Sequence, residues 1–462
     1  MDALRNRLAR LIEALGTGLV ERRREVRLAL LAALAGEHTL LIGPPGTAKS
    51  ELARRLHHAF RDAHYFERLL TRFSVPEELF GPLSISALEQ DRYERHTAGF
   101  LPEASIAFID EVFKANSAIL NALLTLLNER EFDNGAGRMH CPLISVIGAT
   151  NEVPDDEVAE AFFDRFLLRL TVGPVSSAGF RDLLGRDEAH RIGALADALD
   201  AADRAGLTAA ARCVALPAEV ADLLSEVRSW LDTIGRYVSD RRWVKIVWLL
   251  KLAAATEGRA TLSLWDAWLL PWCVAVGAEE QGEVAQWLAS RLGVRDAIAP
   301  PRLTRIVEAF EMQLAAEREA NDLDYDESGR LRFSAAELAG EIGDAKGGAE
   351  AVRMTYARKR RYGATHIAAR TRQLDEALVR IEACATAVAR ERTGLAAYVG
   401  ASLWMDPAFA VRIDAALEAT ARGIDGLRER VLAARSGFEA LPRLPVDSGA
   451  VPEPIAHEPL PS

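Results

Sequence analysis

The sequence predicts an α/β class protein: a three-layer domain with a mainly parallel sheet, then an all-helical subdomain, then a mostly helical C-terminal domain. Three observations carry this. In the first 175 residues, short apolar runs of strand length alternate with helix-patterned stretches. After about Gly173 the strand pattern stops. Ala, Leu, Arg and Glu dominate a chain with only 7% aromatic residues, which leans toward helix. The 462 residues are read as four parts, with boundaries at 1–175, 176–298, 299–440 and 441–462.

In chain order, Leu8–Leu15 and Glu25–Ala35 are expected as helices. Thr39–Ile42 is a buried strand ending in glycine, and Glu51–Phe60 is helical. Ser105–Ile109 and Leu143–Ala149 are further buried strands, with a helix over Ala118–Asn128 between them. Asn134-Gly135 is a hairpin turn between Glu131–Asp133 and Arg138–Leu143. Leu83–Leu101 alternates and turns, and reads as an inserted hairpin that either contacts a substrate or is structural. Ala218–Ile234, Arg241–Ala255 and Ser263–Val276 form the helical subdomain. Pro300-Pro301 marks a break. A short β excursion is expected at Arg330–Phe333, and long helices over Thr365–Arg392 and Asp406–Arg435. The Pro-rich stretch from 441 to 462 has no periodicity and is expected to be disordered.

Composition excludes several classes. Hydrophobic residues make up 49% and charged residues 27%, as in globular proteins. The net charge of −11 disfavours a general nucleic-acid binder. Cys141, Cys213, Cys273 and Cys384 lack metal-site spacing and read as reduced packing residues. The amphipathic N-terminus has no signal-peptide core, and the longest apolar run is broken by Lys245 and Lys251. A cytoplasmic protein without integral membrane association is expected.

The strongest chemical signal is Gly43-Pro44-Pro45-Gly46-Thr47-Ala48-Lys49-Ser50, between a strand and a helix. Glycines let backbone N–H groups wrap a β-phosphate, and the helix N-terminus favours the anion. Lys49 would reach the β- and γ-phosphates, and Ser50 would ligand Mg²⁺. Ala48 stands where glycine is usual, and is read as already inside the first helical turn. The strand Ile106–Ile109 ends in Asp110 and Glu111. Asp110 would organise the Mg²⁺ shell, and Glu111 would orient and polarise the attacking water. Asn151, after the next strand, could bond the γ-phosphate or that water.

These segments together resemble the AAA+ ATPases, specifically the MoxR branch and within it the RavA-type subfamily. GPPGTAKS resembles the Walker A of that branch, with the same alanine before lysine. FIDE resembles Walker B, and GATNE the sensor 1 strand. Phe163-Asp164-Arg165-Phe166 resembles the DRF segment, whose arginine is the finger of the neighbouring subunit. Tyr237–Trp243 (YVSDRRW) is similar to a sensor 2 segment. Gly18–Arg22 and Thr71–Pro82 also look RavA-like. The likeness covers about Met1–Gly277, and faintly Trp404–Arg430.

The resemblance implies an AAA+ αβα core with an all-α lid, ATP or ADP with Mg²⁺, and a homo-oligomeric ring, usually a hexamer. It also implies chaperone-like remodelling of a client with a von Willebrand factor A domain partner. Val20 resembles the position that packs on adenine, and Glu51 joins the nucleotide-binding residues. RavA's β-rich insertion is reduced or replaced between Leu303 and Arg353. Arg165 would be a trans finger; a surface pair with Asp164 is the plain alternative. Arg241, preferred over Arg242 by a Ser-x-Arg pattern, would meet a γ-phosphate and report nucleotide state to the lid. Asn128-Glu129-Arg130 is either an interface cluster or a solvated helix end. The basic cluster Arg353, Arg358, Lys359, Arg360, Arg361, Arg370 and Arg372, with Tyr356 and Tyr362, is a nucleic-acid surface or a solvated face. A nucleic-acid motor and a metal-chelatase motor subunit are the competing functions.

Overall fold

In a computed structural model the chain is described at residues 2–135, 137–151, 157–185, 193, 195–293, 300–322, 358–447 and 449–457. The expected excursion at Arg330–Phe333, together with Arg353 and Tyr356, lies outside these. The chain forms two compact units that cut across the four-part reading: residues 1–290 with 395–412, and residues 291–394 with 413–462.

The first unit is built on five parallel strands. They are β1 (His38–Ile42), β2 (Tyr65–Leu69), β3 (Ile106–Asp110), β6 (Ser145–Thr150) and β7 (Phe166–Thr171), in the order β2-β3-β6-β1-β7. Strands β1 and β6 are buried throughout, as apolar central strands of a parallel sheet must be. Strand β2 was not evident in the sequence. It is an edge strand whose last three residues are exposed, so its apolar signal is broken. Strands β4 (Glu131–Asp133) and β5 (Arg138–His140) form the expected hairpin.

Helices α1 (Asp2–Gly16), α2 (Arg23–Leu34) and α3 (Lys49–Leu56) are followed by two single-turn helices, α4 (Glu77–Phe80) and α5 (Ile85–Leu88). Helix α6 (Ser117–Glu129) buries Ile119, Leu120, Leu123, Leu126 and Leu127 in the cluster that also holds Phe80, Ile109, Val146 and Phe166. Helix α7 (Glu157–Phe163) leads to β7, and α8 (Ser177–Leu184) follows it. The inserted stretch Leu83–Leu101 is not a regular hairpin. One bridge, Leu83 to Arg95, closes it around α5, and Asn134 of the β4–β5 turn bonds Arg95 N–H at 2.7 Å. The lid comprises α9 (Ala201–Arg212), α10 (Ala218–Thr233), α11 (Asp240–Thr256), α12 (Leu270–Val274) and α13 (Ala278–Gly293). Residues 395–412 complete this unit: Tyr398 donates to Asp266, and buried Trp404 donates to Thr256 at 2.7 Å.

The second unit packs Leu303, Phe310, Leu374, Ile381, Val431 and Phe438 from its long helices into one core. Residues 442–447 and 449–457 correct the expectation of disorder over that part of the stretch. Tyr362 N–H donates to Pro442 O at 2.8 Å, Arg370 donates to Glu453 O at 2.7 Å, and Ile455 is buried in that core. An extended proline-rich segment can satisfy its polar groups on neighbours without any period of its own. Within the basic cluster, Arg370 is buried and paired with Glu317 at 2.9 Å, so it offers no surface charge. Among the described residues no helix is long and apolar enough to cross a membrane.

Candidate active site

In a parallel sheet, all strand C-terminal ends share one edge, and there the first group of functional residues gathers. The loop Gly43–Ala48 leaves β1 there. A Cβ on Gly43 would lie 2.1 Å from Val172 O, so only glycine passes that point. Ala48 is not helical, as was expected, but the left-handed N-cap of α3, at φ 66° and ψ 26°. That conformation crowds a Cβ against its own carbonyl, which explains why glycine is usual at this position. Lys49 is buried, and its Nζ donates to Gly43 O at 2.6 Å and Pro44 O at 2.9 Å.

Asp110 and Glu111 end β3 beside this loop. Asp110 Oδ1 accepts from Glu111 N–H at 3.0 Å, and Glu111 takes a left-handed backbone at φ 50°. Asn151, at the end of β6, does not stand free. Its Nδ2 donates to Glu111 Oε1 at 2.6 Å, and Lys114 Nζ lies 3.3 Å from Glu111 Oε2. The glutamate that would orient water is therefore held from two sides. Burial lowers the Lys49 pKa against the pull of Asp110 and Glu111. Burial also raises that of Asp110, opposed by the Glu111 N–H and by Lys49. In each group burial outweighs the countercharge beside it, and a triphosphate with a divalent cation would supply both signs at once. The residues present thus fit Mg²⁺-nucleotide: Lys49 and the α3 N-terminus for phosphate, Ser50 and Asp110 for the metal. Among the described residues no cluster of three or more His, Cys, Asp and Glu side chains suits a metal held by protein alone. Glu51 is engaged on its own helix, with Arg55 Nε at 2.7 Å and Arg54 at 3.3 Å.

Val20 is buried, and its neighbours, which the sequence reading left unassigned, anchor the loop. Arg22, 6% exposed, donates to Thr47 O at 3.1 Å and Gly173 O at 2.6 Å, strapping the phosphate loop to the end of β7. Glu21 accepts from Ser176 N–H at 2.7 Å and from its hydroxyl, which holds the carboxyl below its usual range. A Cβ on Gly179 would meet Glu21 at 2.7 Å and Val20 at 3.1 Å, so α8 packs directly on this turn. The GLVER segment was the signal for these contacts, but only Val20 of it carried a role.

The second group lies on the opposite edge, where the strands begin. Arg165 directly precedes β7. Arg241 opens α11, which is tied to the entrance of β1 by Lys245–Glu37 at 2.6 Å and Trp248–Ala35 O at 3.0 Å. Arg241 donates to Asn128 Oδ1 at 2.6 Å. Arg165 lies 3.7 Å from Asp164, and burial followed by the Arg241 charge lowers its pKa. A five-residue strand spans about 16 Å. Both arginines thus lie about one strand length from the edge that carries this chain's own phosphate loop. Arg242 is distinct from its neighbour: it is 3% exposed, and main-chain carbonyls and Asp164 occupy it. Arg130, half-buried, caps α6 in a left-handed conformation and donates to Gly36 O at 2.6 Å, so it is tied to its own chain.

Residues 6–198 match the family described as the MoxR domain in the MoxR-vWA-beta-propeller ternary systems, and residues 219–288 match an AAA lid domain. An uncharacterized Methanocaldococcus jannaschii protein, MJ0079, is 40% identical over 278 residues, covering 58% of this chain and 70% of that one. A second from the same organism, MJ0812, is 42% identical over 257 residues, covering 54% and 67%. A solved structure of a candidate ATPase from Cytophaga hutchinsonii covers 61% of this chain and 91% of its own, at 18% identity and a TM-score of 0.49.

Proposed function

We propose, because this chain belongs to the MoxR-type AAA+ ATPases, that it hydrolyses ATP with Mg²⁺ in a homo-oligomeric ring and uses the cycle to remodel or assemble protein complexes. One observation carries the oligomeric reading. The phosphate loop, Asp110, Glu111 and Asn151 lie on one edge of the sheet, whereas Arg165 and Arg241 lie on the other. A chain so built cannot complete its own pocket; a head-to-tail copy can, and such contacts close into rings. Exposed Tyr237 and Val244, 80% and 71% accessible, flank Arg241 and supply apolar surface for that contact. A hexamer is the ring this reading favours.

A von Willebrand factor A domain protein is the proposed partner, in line with the systems that give the matched family its description. The finer RavA-type affiliation rests on the GLVER and YVSDRRW segments, and a cytoplasmic site of action goes with it.

The test is a mixing experiment. Arg165→Ala should bind ATP nearly normally but lose turnover by about a thousandfold, the scale of an arginine finger. Lys49→Ala should lose ATP binding. Mixed under subunit exchange, the two should recover activity, because one brings an intact pocket and the other an intact finger. A strictly additive decline in demonstrably mixed rings would falsify the trans assignment.

A further inference from the structure

Arg242 and Asp164 form a cluster that no step so far has used. Arg242 comes from the lid helix α11. It donates to Asp164 O at 3.1 Å, Phe166 O at 2.9 Å and Leu167 O at 2.8 Å. These carbonyls straddle Arg165. The same guanidinium donates through Nε to Cys273 O on α12. At 3% exposure it is tolerated only because its donors are satisfied. One side chain of the lid thus grips the main chain on both sides of Arg165.

Asp164 is the other half. Its Oδ1 accepts from Arg242 at 3.2 Å and lies 3.9 Å from Arg169. Its Oδ2 accepts from Ser239 Oγ, the N-cap of α11, at 3.4 Å, and lies 3.7 Å from Arg165. One carboxylate therefore faces three guanidiniums. Nε of Arg165 and Nε of Arg169 are both buried without an acceptor. Arg169 compensates by stacking over the Phe163 ring at 4.0 Å. Among the described residues Arg165 has no such stacking partner: it is steered by Asp164 but not locked by it.

We propose that Asp164 is the positioning residue of Arg165, and that Arg242 makes the reach of Arg165 depend on the stance of the lid helix. The lid of one chain then sets the hydrolysis rate in the pocket that its arginine serves. This rests on the trans role of Arg165 proposed above.

Asp164→Asn keeps the shape and the Ser239 contact but removes the charge. ATP affinity should stay within about twofold, while single-turnover hydrolysis falls about tenfold or more, the scale of one charge-assisted hydrogen bond. Mixed with Lys49→Ala, the variant should regain activity, since its own pocket is intact and its partner supplies a well-placed Arg165. A residue that merely holds the fold would instead lower ATP binding and melting temperature together, and the mixture would show only the weighted sum. The Arg165→Ala and Lys49→Ala mixture runs in parallel. If it is complemented and the Asp164→Asn mixture is not, the positioning role is overturned while the trans finger stands. If neither is complemented in mixed rings, the trans finger fails and this proposal with it. Should Asp164→Asn not fold, Arg242→Lys takes its place with the same expected outcomes, because it keeps the charge but loses the fork. If both unfold while Arg165→Ala folds, the cluster is a fold anchor and the proposal is overturned.

Discussion

The two edges of the parallel sheet carry opposite designs. On the edge where strands end, the candidate site is built from main chain and short side chains: a glycine-gated loop, a helix N-terminus, two acids and an asparagine. On the edge where strands begin, it is built from long guanidiniums: Arg165, Arg241, Arg242 and Arg130. The first edge presents backbone donors and partly desolvated charges of both signs. The second spends most of its cations internally, on Asp164, Asn128, Gly36 O and the carbonyls around Arg165, and among the described residues Arg165 has only the 3.7 Å approach to Asp164. A pocket is thus assembled locally, whereas a reaching arginine has to be held by contacts from far along the chain.

That contrast can be broken in steps. After the roughly thousandfold loss expected for Arg165→Ala, the next largest effect belongs to the pocket edge. Glu111→Gln should bind ATP yet hydrolyse it at least about a hundredfold more slowly in single turnover. Asn151 can still donate to the new amide oxygen, so that tether survives while the basicity and the Lys114 ion pair go. Unchanged hydrolysis would reduce Glu111 to a strand cap.

Acid should act on the other edge. His38 is fully buried at the start of β1, where burial and then the nearby charges of Arg130 and Lys245 push its pKa well below 6.5. Its Nδ1 accepts from Val146 N–H at 3.0 Å, so that nitrogen cannot take a proton without losing the bond. Above pH 6.5 neither the folded nor the unfolded form carries the charge. Below it, the unfolded chain gains a proton that the fold refuses, and stability falls by up to about 1.4 kcal/mol per pH unit. Urea midpoints measured from pH 8 to pH 5 should show this slope, and His38→Gln should flatten it by one proton. Equal slopes in the two proteins would mean that His38 titrates alike folded and unfolded.

The smallest effect is at Ala48. Ala48→Gly should raise stability by about 1 kcal/mol by relieving a left-handed alanine, read as a higher urea midpoint with ATP affinity retained. A lower midpoint would show that the loop prefers the stiffer residue.

The sequence was most legible where chemistry is contiguous. GPPGTAKS, FIDE and GATNE each carry their own strand and turn, so the central strands β1, β3 and β6 were legible from them. What stayed hidden has physical reasons. The backbone of Ala48 is imposed by the loop, and nothing in the propensity of alanine announces it. Arg22, Asp164 and Arg242 act across separations of 25 to 151 residues, with no period to betray them. Strand β2 sits at an edge, so its apolar pattern is mixed. The described residues between 442 and 457 pack by hydrogen bonds from extended chain, which hydrophobic periodicity cannot register.

Residues 395–412 belong to the same compact unit as residues 1–290. In a cell this imposes an order of events. At a synthesis rate of 5–20 residues per second, roughly 6 to 24 seconds separate the emergence of residue 290 from that of residue 412. During that interval Asp266 has Arg259 but not Tyr398, and Thr256 lacks the Trp404 indole. The core and lid therefore wait on the ribosome as an unfinished body, with apolar surface uncovered where Trp404 will seat. Translation, and not only folding, sets when the nucleotide site becomes part of a closed unit.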